Sequence, residues 1–348
     1  METKILTIQS AEDGAAIAEA AEALKSGKLV IFPTETVYGL GADALNETAV
    51  DGIFTAKGRP RDNPLIVHIA HEDQVLDLVS VIPPKGKDCM DIFWPGPLTL
   101  IFNRSELVPN YVTAGLDSVA IRMPDHPVAR SILQEANIPV VAPSANTSGR
   151  PSPTTADHVV EDMMGKVDLI IDGGHTGVGI ESTVLDVTVD PPMILRPGGI
   201  TREDLEAIIG PVDMDETILP SDSSIIPKSP GQKYKHYAPR GEAYVFAGNI
   251  IGIAGEINRR VRESGSKKTA VLATTETLEL YRGMDLLVNM GSRDNLKEVA
   301  HNIFDALRCC DDEGMEVIFI EGFELEGMGV SIMNRLLKAA GGKVILGL

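Results

Sequence analysis

Apolar positions along this chain follow two rhythms: short unbroken runs, and longer stretches in which they recur every third or fourth residue. The first helical stretch is predicted from Ala11 to Ser26, with Ile17, Ala20, Ala21 and Leu24 on one face. Ser10 and Glu12-Asp13 suit its start and Gly27 its end. Lys28 to Phe32 reads as a strand stopped by Pro33, and Thr34 to Gly41 as a hydroxyl-rich loop. Further helices are predicted from Glu47 to Ala56, Glu72 to Val79 and His126 to Ala136. Strands are predicted from Leu65 to Ile69, Leu98 to Phe102, Ser118 to Arg122 and Pro139 to Ala142, with Trp94-Pro95-Gly96-Pro97 as a rigid turn. Asp168 to Asp172, Thr183 to Val189 and Ile194 to Arg196 add three more strands. A helix capped by Thr201, with Asp204 at the capping-box position, closes a first unit near Gly210.

From Pro211 to Arg240 neither rhythm persists, and Pro220, Pro227, Pro230 and Pro239 forbid long elements. The first half of this linker carries Asp213, Asp215, Glu216 and Asp222. The second half carries Lys228, Lys233, Lys235 and Arg240 without a carboxylate, and interleaves Tyr234, His236 and Tyr237. A flexible spacer needs no such pattern; a lid over an anionic, aromatic ligand does. From Gly241 the rhythm becomes regular βαβ. Strands near Ala243 to Phe246, Thr269 to Ala273, Leu286 to Met290, Val317 to Ile320 and Val344-Ile345 alternate with helices near Ile250 to Glu263, Asn295 to Asp311 and Gly329 to Ala340. That order predicts a small doubly wound parallel domain. Gly248-Asn249-Ile250-Ile251-Gly252 lacks the dinucleotide glycine spacing, so no NAD is expected. No catalytic constellation stands out in this part.

Composition adds limits. At 348 residues two domains are expected, and 43% apolar with 23% charged residues is ordinary for a globular protein with a real core. Fifty acidic against 31 basic residues give a net charge of −19, which repels nucleic acid in general and leaves only a local basic surface for it. Cys89, Cys309 and Cys310 make neither a disulfide framework nor a zinc site, which fits a reducing cytoplasm. The N-terminus lacks a signal-peptide pattern and no apolar run reaches membrane-spanning length, so a cytoplasmic protein is expected.

Against that acidic background, Lys57, Arg59 and Arg61 cluster just before the apolar run that ends at His68. A solvated basic loop is one reading. A phosphate site at the mouth of a buried strand is the other, since a cation about 4 Å from a phosphate gains roughly 4 kcal/mol at an effective dielectric near 20. Thr36, His68, Arg122 and Arg196 all stand near strand ends, where ligands of open α/β sheets bind. Individually, His68 fits a satisfied core histidine and Arg122 an ordinary carboxylate partner; together, and with the small-residue loop Pro143 to Pro153, they favour one polar site. There is no Walker loop, no Gly-x-Ser-x-Gly, no His-Glu-x-x-His and no Cys-x-x-Cys. Reading His68 and Ser144 as base and nucleophile fails for want of an orienting acid. Cations and hydroxyls without a covalent nucleophile suit transfer at phosphorus.

Four motifs carry a resemblance: Pro33-Thr34-Glu35-Thr36-Val37-Tyr38-Gly39-Leu40, Lys57-Gly58-Arg59-Pro60, Pro143-Ser144-Ala145-Asn146, and Ser229-Pro230-Gly231-x-x-Tyr234-x-His236-Tyr237-Ala238-Pro239. Over essentially its whole length the chain resembles the long, two-domain form of the YrdC family, the threonylcarbamoyl-AMP synthases. The resemblance implies an α/β fold: a YrdC-like twisted sheet with a concave catalytic face over residues 1–210, a linker or lid over 211–240, and a smaller Rossmann-like doubly wound parallel domain over 241–348. It implies conversion of L-threonine, bicarbonate or CO2, and ATP to threonylcarbamoyl-adenylate and pyrophosphate. The product would pass to the tRNA threonylcarbamoyl transferase machinery. By motif, Lys57, Arg59, Ser144 and Asn146 form the catalytic set around the nucleotide. Asn63, Ser118, Ser152, Arg196 and Tyr234 would also contact ATP or its adenylate. Thr36, His68, Arg122, the Ala142 backbone and Ser182 would hold threonine. Mg2+ would arrive on ATP, with no metal site on the protein. An RNA-binding module of the same fold is the competing reading, and the net charge argues against it.

Overall fold

The computed structural model describes residues 2–8, 10, 13–218 and 236–347. They divide into two compact units: the chain up to Ile218 apart from Gly149–Pro151, and those three residues with the chain from 236 onward.

In the first unit, eleven strands among the described residues join one mixed sheet. They are β1 (Lys4–Thr7), β2 (Val30–Phe32), β3 (Gly39–Asp43), β4 (Ile66–His68), β5 (Leu98–Asn103), β6 (Ser118–Arg122), β7 (Val140–Val141), β8 (Leu169–Asp172), β9 (Thr183–Asp186), β10 (Met193–Arg196) and β11 (Asp213–Met214). Their order is β1-β8-β2-β3-β7-β4-β6-β5-β9-β10-β11. The unbroken apolar runs are the strands buried on both faces, as β2 and β4 are throughout. On one side, helices Gly14–Lys25 and Pro127–Ala136 press Ile17, Leu24, Ile132 and Leu133 against Val30, Phe32 and Ile171. The Thr201 capping box forms as its spacing predicts.

Several elements depart from the pattern. The first helix begins at Gly14 with Asp13, not Ser10, at its N-cap. Gly39-Leu40-Gly41 is not loop but the start of β3, antiparallel to β2 with Gly41 opposite Val30. A Cβ on Gly41 would lie 2.6 Å from the Phe32 ring, so the strand needs glycine for a close approach, and glycine hides it from a propensity reading. Helices Pro84–Phe93 and Ala156–Met163 lie in stretches read without structure. Within the stretch read as aperiodic, β11 pairs beside β10 and Glu216–Ile218 makes a 3-10 turn, and both belong to the first unit.

The second unit is the parallel α/β domain the rhythm predicts. Strands β12 (Glu242–Ala247), β13 (Thr269–Ala273), β14 (Leu286–Asn289), β15 (Val317–Glu321) and β16 (Val344–Leu346) run in the order β14-β13-β15-β12-β16. All their pairings are parallel, with helices Ile250–Glu263, Leu296–Asp312 and Met328–Ala339 interspersed. A polar centre unforeseen in the sequence lies at the end of β15. Glu321, fully buried, accepts from Thr274 N (3.1 Å) and Oγ1 (2.8 Å), Tyr281 OH (2.5 Å) and Arg293 Nη2 (3.1 Å). Burial, and then the charge of Glu321, push the Tyr281 phenol up, which keeps it a donor. Tyr237, from the fourth motif, is buried with its ring 5.1 Å from Phe304 and beneath the Arg335 guanidinium at 5.6 Å.

Candidate functional site

Strand directions gather the polar residues. β4 and β6 are parallel and end together, His68 opposite Arg122. β5 runs antiparallel to β6, with Leu100 opposite Ile121, so Thr99 at its start lies beside the end of β6. β9 is parallel to β5 with Thr183 opposite Leu98, which brings Ser182 to the same edge. β10 returns antiparallel and delivers Arg196 opposite Val184. Alternation along the pleat then places His68, Arg122 and Thr99 on one face of the sheet with Ile66, Ala120, Ile101 and Val184. The last four and Leu195 form a small apolar cluster of their own, a floor with polar groups along its rim.

At that edge Arg122 is buried. It donates from Nη1 to Thr36 Oγ1 (3.0 Å) and from Nε to Gly96 O (3.3 Å), and its Nη2 lies 2.6 Å from Glu35 Oε1. Arg196 donates from Nε to Ser182 O and from Nη2 to Ser182 Oγ, both at 3.0 Å, and Ser182 Oγ is 2.8 Å from Thr99 Oγ1. The approach of the Pro197-Gly198 turn to this strand requires glycine: a Cβ on Gly198 would fall 2.3 Å from Thr183 N. His68 Nδ1 lies 3.2 Å from Ile66 O, and a carbonyl can only accept, so Nδ1 carries the proton and Nε2 offers a lone pair. Burial, then the Arg122 charge, push the imidazole down to about 3.

A second group stands on the helix Glu47–Lys57. Gly58, left-handed at φ 61°, ends that helix. The buried Lys57 ammonium donates to Ser144 O, to Asn146 O (2.6 Å) and to Asn146 Oδ1 (3.5 Å), while Ser144 Oγ donates to Asn146 Oδ1 (2.6 Å). Burial, then the neighbouring Arg59 charge, push Lys57 well down. Arg59 Nη2 donates to Asn63 O (3.2 Å) and Pro64 O (3.1 Å), the entry to β4. The buried Asn63 Oδ1 finds no hydrogen-bond partner among the described residues. β3 joins the two groups: Leu40 N donates to Pro143 O (2.8 Å) and Ala145 N to Tyr38 O (2.8 Å). Ala142 N reaches Ile66 O at 3.1 Å, which sets the Ala142 backbone beside β4. Ser152 Oγ donates to the buried Glu181 Oε1 at 2.5 Å.

The fold thus brings Thr36, His68, Arg122, Ser182 and Arg196 to one edge, and Lys57, Ser144 and Asn146 into one hydrogen-bonded cluster. Ser118 stands apart from that edge, at the opposite end of β6 from Arg122 and paired with Asn103. Tyr234, Lys228, Lys233 and Lys235 lie outside the described residues. Among acids, none stood out in the sequence as an orienting partner; the structure supplies Glu35 on Arg122 and Glu181 on Ser152. The signal for Glu35 was present in the chain: a charge between two threonines immediately after a fully apolar strand. Among the described residues no group of three or more His, Cys, Asp or Glu could hold a metal ion, and no helix is long and apolar enough to cross a membrane.

His68 carries a stability prediction. Unfolded, it takes a proton near pH 6.5, whereas folded it does so only near 3. The unfolded chain therefore binds more protons between these values, and stability falls as pH drops from about 6.5, by up to about 1.4 kcal/mol per pH unit for this group. Urea melts of wild type and His68→Gln between pH 7 and 5 measure this. The variant should lose the His68 share of the slope; equal slopes would contradict a neutral buried imidazole.

A mixed sheet with cationic side chains along one edge, and a separate parallel α/β unit, define a two-unit α/β protein. Residues 22–198 match a family profile described as telomere recombination, and residues 200–341 one described as the threonylcarbamoyl-AMP synthase C-terminal domain. The chain is 49% identical over 330 residues to the threonylcarbamoyl-AMP synthase of Bacillus subtilis and 46% over 329 residues to that of Pyrococcus abyssi, in each case across 94% of both chains. The crystal structure of Pyrococcus abyssi Sua5 complexed with L-threonine superposes with a TM-score of 0.93 at 44% identity, covering 99% of each chain. The chain belongs to the threonylcarbamoyl-AMP synthase family.

Proposed function

We propose that the chain is a nucleotidyltransferase that makes threonylcarbamoyl-adenylate and pyrophosphate from L-threonine, bicarbonate or CO2, and ATP. The observation that carries this reading is the joining of the Arg122–Thr36–His68–Ser182 edge to the Lys57–Ser144–Asn146 cluster in one unit. Threonine's carboxylate pairs with the buried Arg122 guanidinium, a charge-assisted bond in a low-dielectric setting. Its β-hydroxyl donates to His68 Nε2, which the neutral imidazole leaves open. Thr36, Ser182 and the Ala142 backbone complete the amino-acid site.

The reaction then has two parts. The neutral amine of threonine forms a bond to the carbon of CO2 and releases a proton, which gives the carbamate. A carbamate oxygen attacks the α-phosphorus, and the bond to pyrophosphate breaks opposite to it. Lys57 and Arg59, with Arg196, face the negative charge that shifts onto the leaving phosphates; such preorganised donors are where an enzyme of this kind gains most. The apolar floor of Ile66, Ile101, Ala120 and Val184, with Ser118 and Asn63 toward its far end, suits the nucleoside. Ser144, Asn146 and Ser152 flank the nucleotide, and Tyr234 would join them. Mg2+ would arrive on ATP and would supply charge screening of the triphosphate. The product is a mixed anhydride, and its consumer would be the machinery that transfers the threonylcarbamoyl group to tRNA.

The test is purified protein with ATP labelled at the α-phosphate: adenylate and pyrophosphate should form only when threonine and bicarbonate are both present. No adenylate under these conditions would refute the reading. Serine in place of threonine should react about ten to a hundred times more slowly in kcat/KM, because one methyl in a pocket is worth roughly 1–3 kcal/mol. Equal rates of pyrophosphate release would mean that no methyl pocket exists.

A further inference from the structure

The Arg122–Glu35 contact is a close ion pair that lacks an aligned hydrogen bond. Their side chains are only 5% and 14% exposed and approach to 2.6 Å. Yet Arg122 Nη2 and both Glu35 carboxylate oxygens are buried without an aligned hydrogen bond among the described residues. A pair kept only for structure aligns its fork, and buried polar atoms left unmet are costly enough to be rare. The backbone around Glu35 is fixed, since its carbonyl accepts from Val178 N (2.7 Å) and that of Thr36 from Gly179 N (3.1 Å). The carboxylate is therefore held at the amino-acid edge, with no aligned hydrogen bond to its oxygens among the described residues.

A guanidinium nitrogen and a carboxylate that are ion-paired but share no aligned hydrogen bond are the complement of a zwitterion. We infer that Glu35 receives the α-ammonium of the amino-acid substrate while Arg122 receives its carboxylate, so that Glu35 is the residue that selects an α-amino acid over a plain hydroxy acid. This rests on the threonine-binding reading above and adds to it a contact with the nitrogen that becomes carbamoylated once the ammonium has passed its proton to the Glu35 carboxylate. Glu35 fixes where that nitrogen stands, and with it the point at which CO2 must arrive. It also restrains Arg122 while the site is empty: a carboxylate without an ammonium meets the repulsion of Glu35 and gains nothing in return.

Calorimetric titration of wild type, Glu35→Gln and Glu35→Asp with L-threonine and with 3-hydroxybutyrate, its analogue without the amine, tests the assignment. Wild type should prefer threonine. Glu35→Gln should weaken threonine by roughly tenfold or more, the scale of one charge-assisted hydrogen bond, and leave 3-hydroxybutyrate unchanged or tighter. Glu35→Asp keeps the charge and should keep the preference. Threonine affinity unchanged in Glu35→Gln would overturn the inference. So would an equal loss for both ligands, since that is what a residue that only orients Arg122 would give. Should Glu35→Gln not fold, loss of the preference in Glu35→Asp would count against it in the same way. A wild type that fails to bind threonine at all would instead sink the synthase reading and is told apart by that control.

Discussion

Lys57→Met should lower kcat/KM for ATP by about a thousandfold or more, with the threonine edge intact. A single preorganised donor at a developing charge accounts for about a hundred- to a thousandfold in rate, and Lys57 is both a donor and a buried charge. Methionine fills most of the lysine's volume but leaves Ser144 O and Asn146 O without their donor. A stability loss of about 1–3 kcal/mol should therefore accompany the loss of activity. Steady-state pyrophosphate release, with a thermal melt to confirm folding, measures both. A variant that keeps within tenfold of wild-type activity would remove Lys57 from the chemistry.

Arg122→Ala should be the most damaging change at the amino-acid edge, raising KM for threonine by about a hundred- to a thousandfold. The guanidinium makes three separate contacts in fixed directions, to Gly96 O, Thr36 Oγ1 and Glu35. Alanine removes all three and strands the Glu35 carboxylate, a loss of about 3–5 kcal/mol in stability for a buried charge without its partner. Arg122→Lys retains a charge but no planar fork, so it should fold and still bind threonine poorly. The split is diagnostic. ATP affinity should change little in Arg122→Lys while the threonine term collapses. Parallel loss of both would place Arg122 under the nucleotide instead.

Much of this site was legible in the chain because its parts are local. The Lys57-Gly58-Arg59 cluster, the hydroxyls after β2, and cationic or imidazole residues at the last position of apolar runs are all neighbours of a strand end, and strand ends follow from unbroken apolar stretches. The second domain was legible for the same reason: its strands and helices alternate, and a parallel sheet buried on both faces writes itself as apolar runs. What escaped was non-local or disguised. β3 is built on Gly39 and Gly41, chosen for proximity to Phe32 and the Ala142 side chain, and carries no strand propensity. Glu321 and Tyr281 stand forty residues apart in sequence and meet only because β15 ends beside the turn after β13.

By itself the sequence determined which side chains are available, where strands and helices form, and that the chain has two α/β parts, since these depend on neighbours within a few residues. Only the tertiary structure decided which ends face one another. The antiparallel turns of β5 and β10 bring Ser182 and Arg196 to Arg122, and one parallel register step sets His68 opposite it. Pairing is a choice among distant strands made by burial and backbone hydrogen bonding together. For the same reason no reading along the chain could tell that Glu35 would lie 2.6 Å from Arg122 without an aligned hydrogen bond to its oxygens among the described residues.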